Sequence, residues 1–373
     1  VLDKSKLIVQ LYKVADSLFV DTGSAYRDVY SMWCAISQDS LFQSRAYAVT
    51  NSSMPIPYWD GNLDDRYTIS TEKQIYVAIS IDGSQIYPDR HAIASCFLIN
   101  IGSIVLPYVD NGRAELASEP YVFVGVDNSG LACTIDTVNC KRQELELTAG
   151  IEVALKMREK YTAPLVVLFD GSLIFWHLSS KERDIKEYFL SSYLSLLGTL
   201  YQQQIVTAWY ISSPKSKELM NLVRLHMCNF DLSQKERYES IEHMLDMHCM
   251  EQFLEPYTRS IVFKNNSDIS QYYPSEIQPY FFYVHTGNEI GRVEIPAWIA
   301  RDISLVDFVA YTIFDQCIKG GGYPIAIAEA HEQAVVKGPD RDFFYHLLQK
   351  MVIERKRKVS ISRKSIKKAL VAL

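Results

Sequence analysis

Val77-Ala78-Ile79-Ser80-Ile81-Asp82-Gly83-Ser84 and Leu165-Val166-Val167-Leu168-Phe169-Asp170-Gly171-Ser172 are two apolar runs of β character, and each closes on Asp-Gly-Ser. A carboxylate at the end of a buried strand, with glycine after it, aims a charge into a cleft. One copy is ordinary turn chemistry. Two copies in one domain predict a shared site, and hard divalent cations are the usual occupants of such a site.

The text around the two runs sets their order in a fold. Lys73 to Ile81 reads as a strand, followed by strands over 92–101, 103–109 and 121–126. These are closely spaced and punctuated by Gly and Asn, which predicts antiparallel neighbours. A helix is expected from near Lys141 to Lys160, and Pro164 blocks its continuation. The strand 165–169, a helix over 181–203, a strand over 206–211 and a helix over 215–229 follow. An antiparallel cluster, then a helix, then parallel-type strands alternating with helices, is the order of a ribonuclease H-like (Piwi-like) α/β fold. Its expected form is a mixed sheet flanked by helices.

Residues 1–70 read as an N-terminal extension, helical to about residue 48 and a loop from 50 to 70, where Pro55, Pro57 and Asp60-Gly61-Asn62 break the pattern. Residues 71–353 form the main domain, with a polar, Tyr- and Met-rich insertion at about 230–275. Residues 354–373 are a basic tail carrying Arg355-Lys356-Arg357-Lys358, Arg363-Lys364 and Lys367-Lys368. Such a tail is either a solvated segment or a handle for phosphate or a partner.

Bulk composition narrows the function classes. The 373 residues are 48% hydrophobic and 22% charged, enough for a core and against global disorder. The net charge of -6 does not by itself mark a nucleic-acid binder. Seven cysteines at irregular spacings include no Cys-x-x-Cys, and the His226/Cys228 and His248/Cys249 pairs have poor zinc spacing. Reduced, mostly buried thiols are expected, which fits the cytoplasm. No apolar run is long enough to span a membrane, and the first residues lack a signal-peptide pattern. Neither a Gly-x-Gly-x-x-Gly nor a Walker-type phosphate loop is present, which argues against a nucleotide-fuelled machine.

Between the two aspartates lies Arg142-Gln143-Glu144-Leu145-Glu146-Leu147-Thr148-Ala149-Gly150-Ile151. In ribonuclease H-like folds a glutamate near the start of this helix joins the two strand-end aspartates. Glu146 suits that position, and Glu144 and Glu152 compete with it. Three carboxylates in one pocket are costly unless cations neutralise them. Near the end, Gly320-Gly321-Gly322-Tyr323-Pro324 leads into a helix bearing His331 about two turns on. A histidine there could ligate metal or transfer a proton near neutral pH. Alone, it is more simply a satisfied histidine of its helix.

The set of Asp82-Gly83-Ser84, a glutamate-bearing helix, Phe169-Asp170-Gly171-Ser172-Leu173-Ile174, and Gly322-Tyr323-Pro324 followed by Ala330-His331 resembles the NurA nucleases over roughly residues 75–350. The resemblance implies a homodimer and manganese-dependent cleavage of DNA, with magnesium as the alternative ion and two ions in the site. It implies 5′-to-3′ exonuclease and single-strand endonuclease activity in DNA end resection and repair. It implies a hexameric HerA-type translocase ATPase as partner. Asp82, Asp170, Tyr323 and His331 match the family's functional positions and Glu146 fits them; Asp82, Glu146, Asp170 and His331 are the expected metal ligands. Lys215 and Lys217 are candidate DNA-backbone contacts. A catalytically silent dimeric adaptor of a ring ATPase, and an RNA-directed nuclease of the same fold, are the alternatives.

Overall fold

A computed structural model describes residues 2–18, 23–49, 54–88, 96–124 and 130–354. Three helices open the chain, α1 (Lys4–Leu18), α2 (Gly23–Gln38) and α3 (Phe42–Val49). Strands β1 (Tyr58–Trp59), β2 (Arg66–Thr68), β3 (Tyr76–Ile86), β4 (Phe97–Tyr108) and β5 (Glu115–Phe123) precede helix α4 (Ile135–Lys160). Then come β6 (Leu165–Asp170), α5 (Arg183–Gln202), β7 (Val206–Ile211), α6 (Glu218–Met227) and α7 (Asp246–Phe253). β8 (Thr258–Ser260), β9 (Phe263–Lys264), β10 (Pro279–His285) and β11 (Ile290–Pro296) lead to α8 (Ala297–Ala300), α9 (Ile303–Lys319), α10 (Ile325–Ala334) and α11 (Gly338–Glu354).

The strands form one mixed sheet in the order β1-β9-β10-β11-β7-β6-β3-β4-β5, with β8 also on β10 and β2 on β8. β3, β4 and β5 run antiparallel in sequence, whereas β6 lies parallel to β3 and β7 parallel to β6. The order β5-β4-β3-β6-β7 with α4 crossing from β5 to β6 is the ribonuclease H-like arrangement. Alternation along the central strands sends side chains to two cores. Val77, Ile79, Ile81, Val167 and Phe169 meet α4 and α5 on one face. Tyr76, Ala78, Val166 and Leu168 meet α9 and α10 on the other. Asp82 and Asp170 share the parity of this second set, so both face the α10 layer.

Three details depart from the expected elements. β4 is one strand of 12 residues rather than two, because Gly102 stays paired with Asp82 instead of turning. β3 does not end at Asp82; it continues to Ile86, so the first carboxylate sits mid-strand. α4 begins at Ile135, where Thr134 caps it reciprocally with Thr137. Its first turns, Asp136-Thr137-Val138-Asn139, are poor helix formers by propensity and hide the start.

The extension and the insertion are not separate appendages. Val29, Trp33, Ile36, Phe42 and Ala46 share a buried core with Leu219, Met220, Met244, Met250 and Phe253. Within the expected loop, β1 and β2 add backbone pairs to β9 and β8. The basic cluster of the tail, Arg355 onward, lies outside the described residues. No helix among the described residues is long and apolar enough to cross a membrane.

Candidate active site

The two Asp-Gly-Ser motifs do different jobs. At the first, Gly83 is mid-strand and its bare Cα faces α4. A methyl group there would lie 2.7 Å from Glu146 Oε1 and 2.7 Å from Arg142 Cγ. That gap lets Glu146, from the layer opposite Asp82, pass its carboxylate up to the strand. Ser84 Oγ donates to Ala334 O at 2.6 Å and so ties down the C-terminal end of α10. At the second motif, Asp170 ends β6 and Gly171 turns with φ +87° while donating to Tyr210 O at 3.0 Å. Ser172 Oγ donates 2.7 Å to Glu294 Oε2, which also accepts from Leu173 N at 2.9 Å.

α10 reaches the sheet because β4 offers a glycine under it. A methyl at Gly102 would stand 2.4 Å from Ala334 N and 2.6 Å from Ala330 O. Asn100 Nδ2 donates to Ala334 O at 2.8 Å and fixes the helix axially. His331 therefore lands on Asp82, the register partner of Gly102, with Nδ1 2.7 Å from Asp82 Oδ2. At the other end of α10, Gln316 Oε1 accepts from Ala326 N at 3.0 Å. Just before it, Tyr323 packs edge-on to Tyr210 and donates its hydroxyl proton to Asp170 Oδ1 at 2.9 Å. Burial, reinforced by Asp170, pushes the Tyr323 phenol well above its usual pKa, so it remains a donor.

Asp82, Asp170, Tyr323 and His331 thus line one cleft of about 400 Å³, with Glu329 and Glu332 at its margin. Glu146 sits behind it, its side chain 16% exposed, with Arg142 Nε 3.3 Å from its Oε1. Burial raises the Glu146 pKa from 4.5 to about 8; Arg142 pulls down, and Asp82 and Asp170 push up. The competing glutamates are placed elsewhere. Glu144 pairs with Lys141 Nζ at 2.7 Å and takes a bond from Ser192, and Glu152 is exposed. The structure places Glu146 three turns into α4, not near its start. Lys215 and Lys217 lie beyond β7, Lys215 exposed and Lys217 donating to Glu242 O at 2.9 Å.

The donors suit a hard cation chemically. Three are carboxylates and the fourth is an imidazole, and Glu146 Oε1 is buried without a hydrogen bond, an oxygen that a cation or a proton would satisfy. They are not closed around one point. Among the described residues no three His, Cys, Asp or Glu side chains stand as a ready ligand cluster. Each carboxylate is held instead by its own neighbour: Asp82 by His331, Asp170 by Tyr323, Glu146 by Arg142.

Sequence reasoning missed Gly102, Arg142 and Glu294. A glycine inside a strand was the one signal available for the first. For Arg142 the signal was its i,i+4 spacing to Glu146, whereas nothing local marks Glu294, whose partners Ser172 and Leu173 are distant in the chain.

A family model described as NurA domain matches residues 76–336. No curated protein matches the chain. Among solved structures, Marinitoga piezophila Argonaute in complex with a 5′ OH guide RNA is similar at TM-score 0.29 and 13% identity, over 70% of this chain and 30% of that one. Drosophila Piwi is similar at TM-score 0.30 and 9% identity, over 69% of this chain and 29% of that one. The N-terminal RNase H domain of a Mycobacterium tuberculosis protein, fused to maltose-binding protein, is similar at TM-score 0.20 and 18% identity, over 43% of this chain and 99% of that one. The match thus takes up less than a third of the Argonaute and Piwi chains. The NurA model covers most of this chain, including every residue of the cleft, and the chain belongs to the NurA family of nucleases.

Proposed function

We propose that the protein is a metal-dependent deoxyribonuclease that hydrolyses phosphodiester bonds at DNA ends. The observation that carries this reading is the cleft itself, where Asp82–His331 and Asp170–Tyr323 pairs meet and Glu146 stands behind Gly83. Asp82, Glu146, Asp170 and His331 would hold manganese, with magnesium as the alternative and two ions as the expected number. When bound, the ions supply Lewis-acid charge at the phosphate.

The chain's own groups then have defined tasks. Asp82 accepting from Nδ1 fixes the His331 tautomer and leaves Nε2 for one of two tasks, ligating a metal or transferring a proton at the phosphate. The Tyr323 hydroxyl orients the Asp170 carboxylate. Arg142 holds the Glu146 carboxylate behind Gly83 through its ion pair. Lys215 and Lys217 would neutralise backbone phosphates.

Family membership extends the proposal to a homodimer working with a hexameric HerA-type ATPase in end resection, as a 5′-to-3′ exonuclease and single-strand endonuclease. Matched single-stranded DNA and RNA oligonucleotides, incubated with protein and manganese, test the substrate. Faster cleavage of DNA is expected. Preference for RNA would assign the fold to RNA, and cleavage of neither would leave the adaptor role.

A further inference from the structure

A second cavity of about 510 Å³ opens beside the cleft, walled by Ser172, Trp176, Pro214, Lys215, Arg224 and Arg292 among others. It shares the second Asp-Gly-Ser turn with the cleft. Ser172 lies two residues from Asp170, at most about 7 Å along the chain, so a strand in the cleft reaches the cavity within a nucleotide or two.

The cavity has an aromatic side and a cationic side. Trp176 follows the turn and is 45% exposed, an unusual state for an indole in a pocket. Arg292 is saturated, paired with both Glu218 and Glu294. The remaining charges, Lys215, Lys217 and Arg224, leave the lining net positive. Arg224 is 6% exposed and its terminal nitrogens are occupied, Nη1 on Asn221 Oδ1 at 2.7 Å and Nη2 on Glu242 O at 3.0 Å. Its Nε is buried and makes no hydrogen bond. Its charge therefore reaches the cavity as a field rather than as a free donor.

We infer that this cavity is a nucleotide subsite, holding one unstacked nucleotide of a single strand next to the bond that is cut. The base lies on the Trp176 indole, and a phosphate oxygen meets the exposed Lys215. The inference rests on the nuclease reading and adds to it a reason for acting on single strands. A duplex keeps its bases stacked on one another, whereas a single strand gives one up to an aromatic platform at little cost.

Binding without cleavage tests it. A short fluorescein-labelled oligothymidylate is titrated by anisotropy against wild-type protein in EDTA, then against Trp176→Ala, Trp176→Phe, Lys215→Gln and the distant surface variant Lys350→Gln. Expected are roughly tenfold weaker binding for Trp176→Ala, near-wild-type binding for Trp176→Phe, and no change for Lys350→Gln. Lys215→Gln lowers the salt dependence of binding by about one phosphate contact, a slope change of about 0.7. Wild-type protein that binds the strand as tightly as Trp176→Ala overturns the subsite while leaving the nuclease reading intact. Wild-type protein that does not bind the strand also overturns the subsite, and cleavage with manganese tests the nuclease reading separately.

Discussion

Replacing Gly102 by alanine should pull His331 off Asp82. The added Cβ would stand 2.4 Å from Ala334 N, 2.6 Å from Ala330 O and 2.7 Å from Gln333 C. Carbon contacts settle at about 3.5 Å or more, so α10 must retreat by about 1 Å. All three obstacles are helix backbone, and no rotamer change relieves them. Overpacking of this kind costs about 1–3 kcal/mol. The loss of glycine's freedom in the unfolded chain returns about 0.4–1 kcal/mol. The net is a destabilisation of about 1–2 kcal/mol, read as a fall of about 1–3 °C in Tm.

The larger effect falls on the site. The His331–Asp82 separation of 2.7 Å would open past hydrogen-bond range, and a displacement of about 1 Å at reacting groups costs about a hundredfold in rate. Thermal unfolding and initial rates on a labelled single strand measure the two effects separately. Gly198→Ala on α5, where a methyl meets open space, is the control and should be neutral to slightly stabilising. Gly102→Ala protein with wild-type Tm and wild-type cleavage would refute the placement of α10.

Three further outcomes follow from the same geometry. In metal-free buffer, burial raises the Glu146 pKa from 4.5 to about 8, so the folded state holds a proton that the unfolded chain has released. Stability from this group is therefore full below about pH 4.5 and falls as pH rises to about 8, by about 4 kcal/mol between pH 5 and pH 9. Glu146→Gln should remove that loss, and urea midpoints with the same pH trend in both proteins would contradict it. Tyr323→Phe, which deletes the 2.9 Å bond to Asp170, should cleave about tenfold more slowly at unchanged fold; an unchanged rate would dismiss Tyr323 as an orienting group. Trp33→Ala should cost about 3–5 kcal/mol in denaturant unfolding, since Trp33 is fully buried against Phe253; a loss under 1 kcal/mol would return the N-terminal helices to appendage status.

The parts of the fold that were legible in sequence are those where period and punctuation agree. Leu165–Asp170 and Val206–Ile211 are short, β-branched and bounded by Pro164 and Gly171 or by Ser212-Ser213-Pro214, and both stand where the sequence reading puts them. Asp82 and Asp170 were legible as carboxylates of one shared site, but the layer they face was not, because facing depends on the parity of two strands 88 residues apart in sequence and parallel in space. Gly102 misled in the opposite direction. Glycine usually breaks a strand pattern, and here it is the dent into which α10 fits. The choice among Glu144, Glu146 and Glu152 could not be made from spacing. It is made by tertiary neighbours, Lys141 and Ser192 for Glu144 and solvent for Glu152. The insertion reads as polar because its buried Met244, Met250 and Phe253 are spread among surface residues, and their partners lie in the first fifty residues.

The account stands most directly on the two aspartates that share the cleft. Single-turnover cleavage of an end-labelled single strand of DNA with manganese should be measured for wild type, Asp82→Asn and Asp170→Asn, each verified to unfold at a similar temperature. The account predicts robust cleavage by wild type, its abolition by EDTA, and loss of at least a thousandfold in either variant, about 4 kcal/mol of transition-state stabilisation. Equal cleavage by wild type and by either asparagine variant would contradict it.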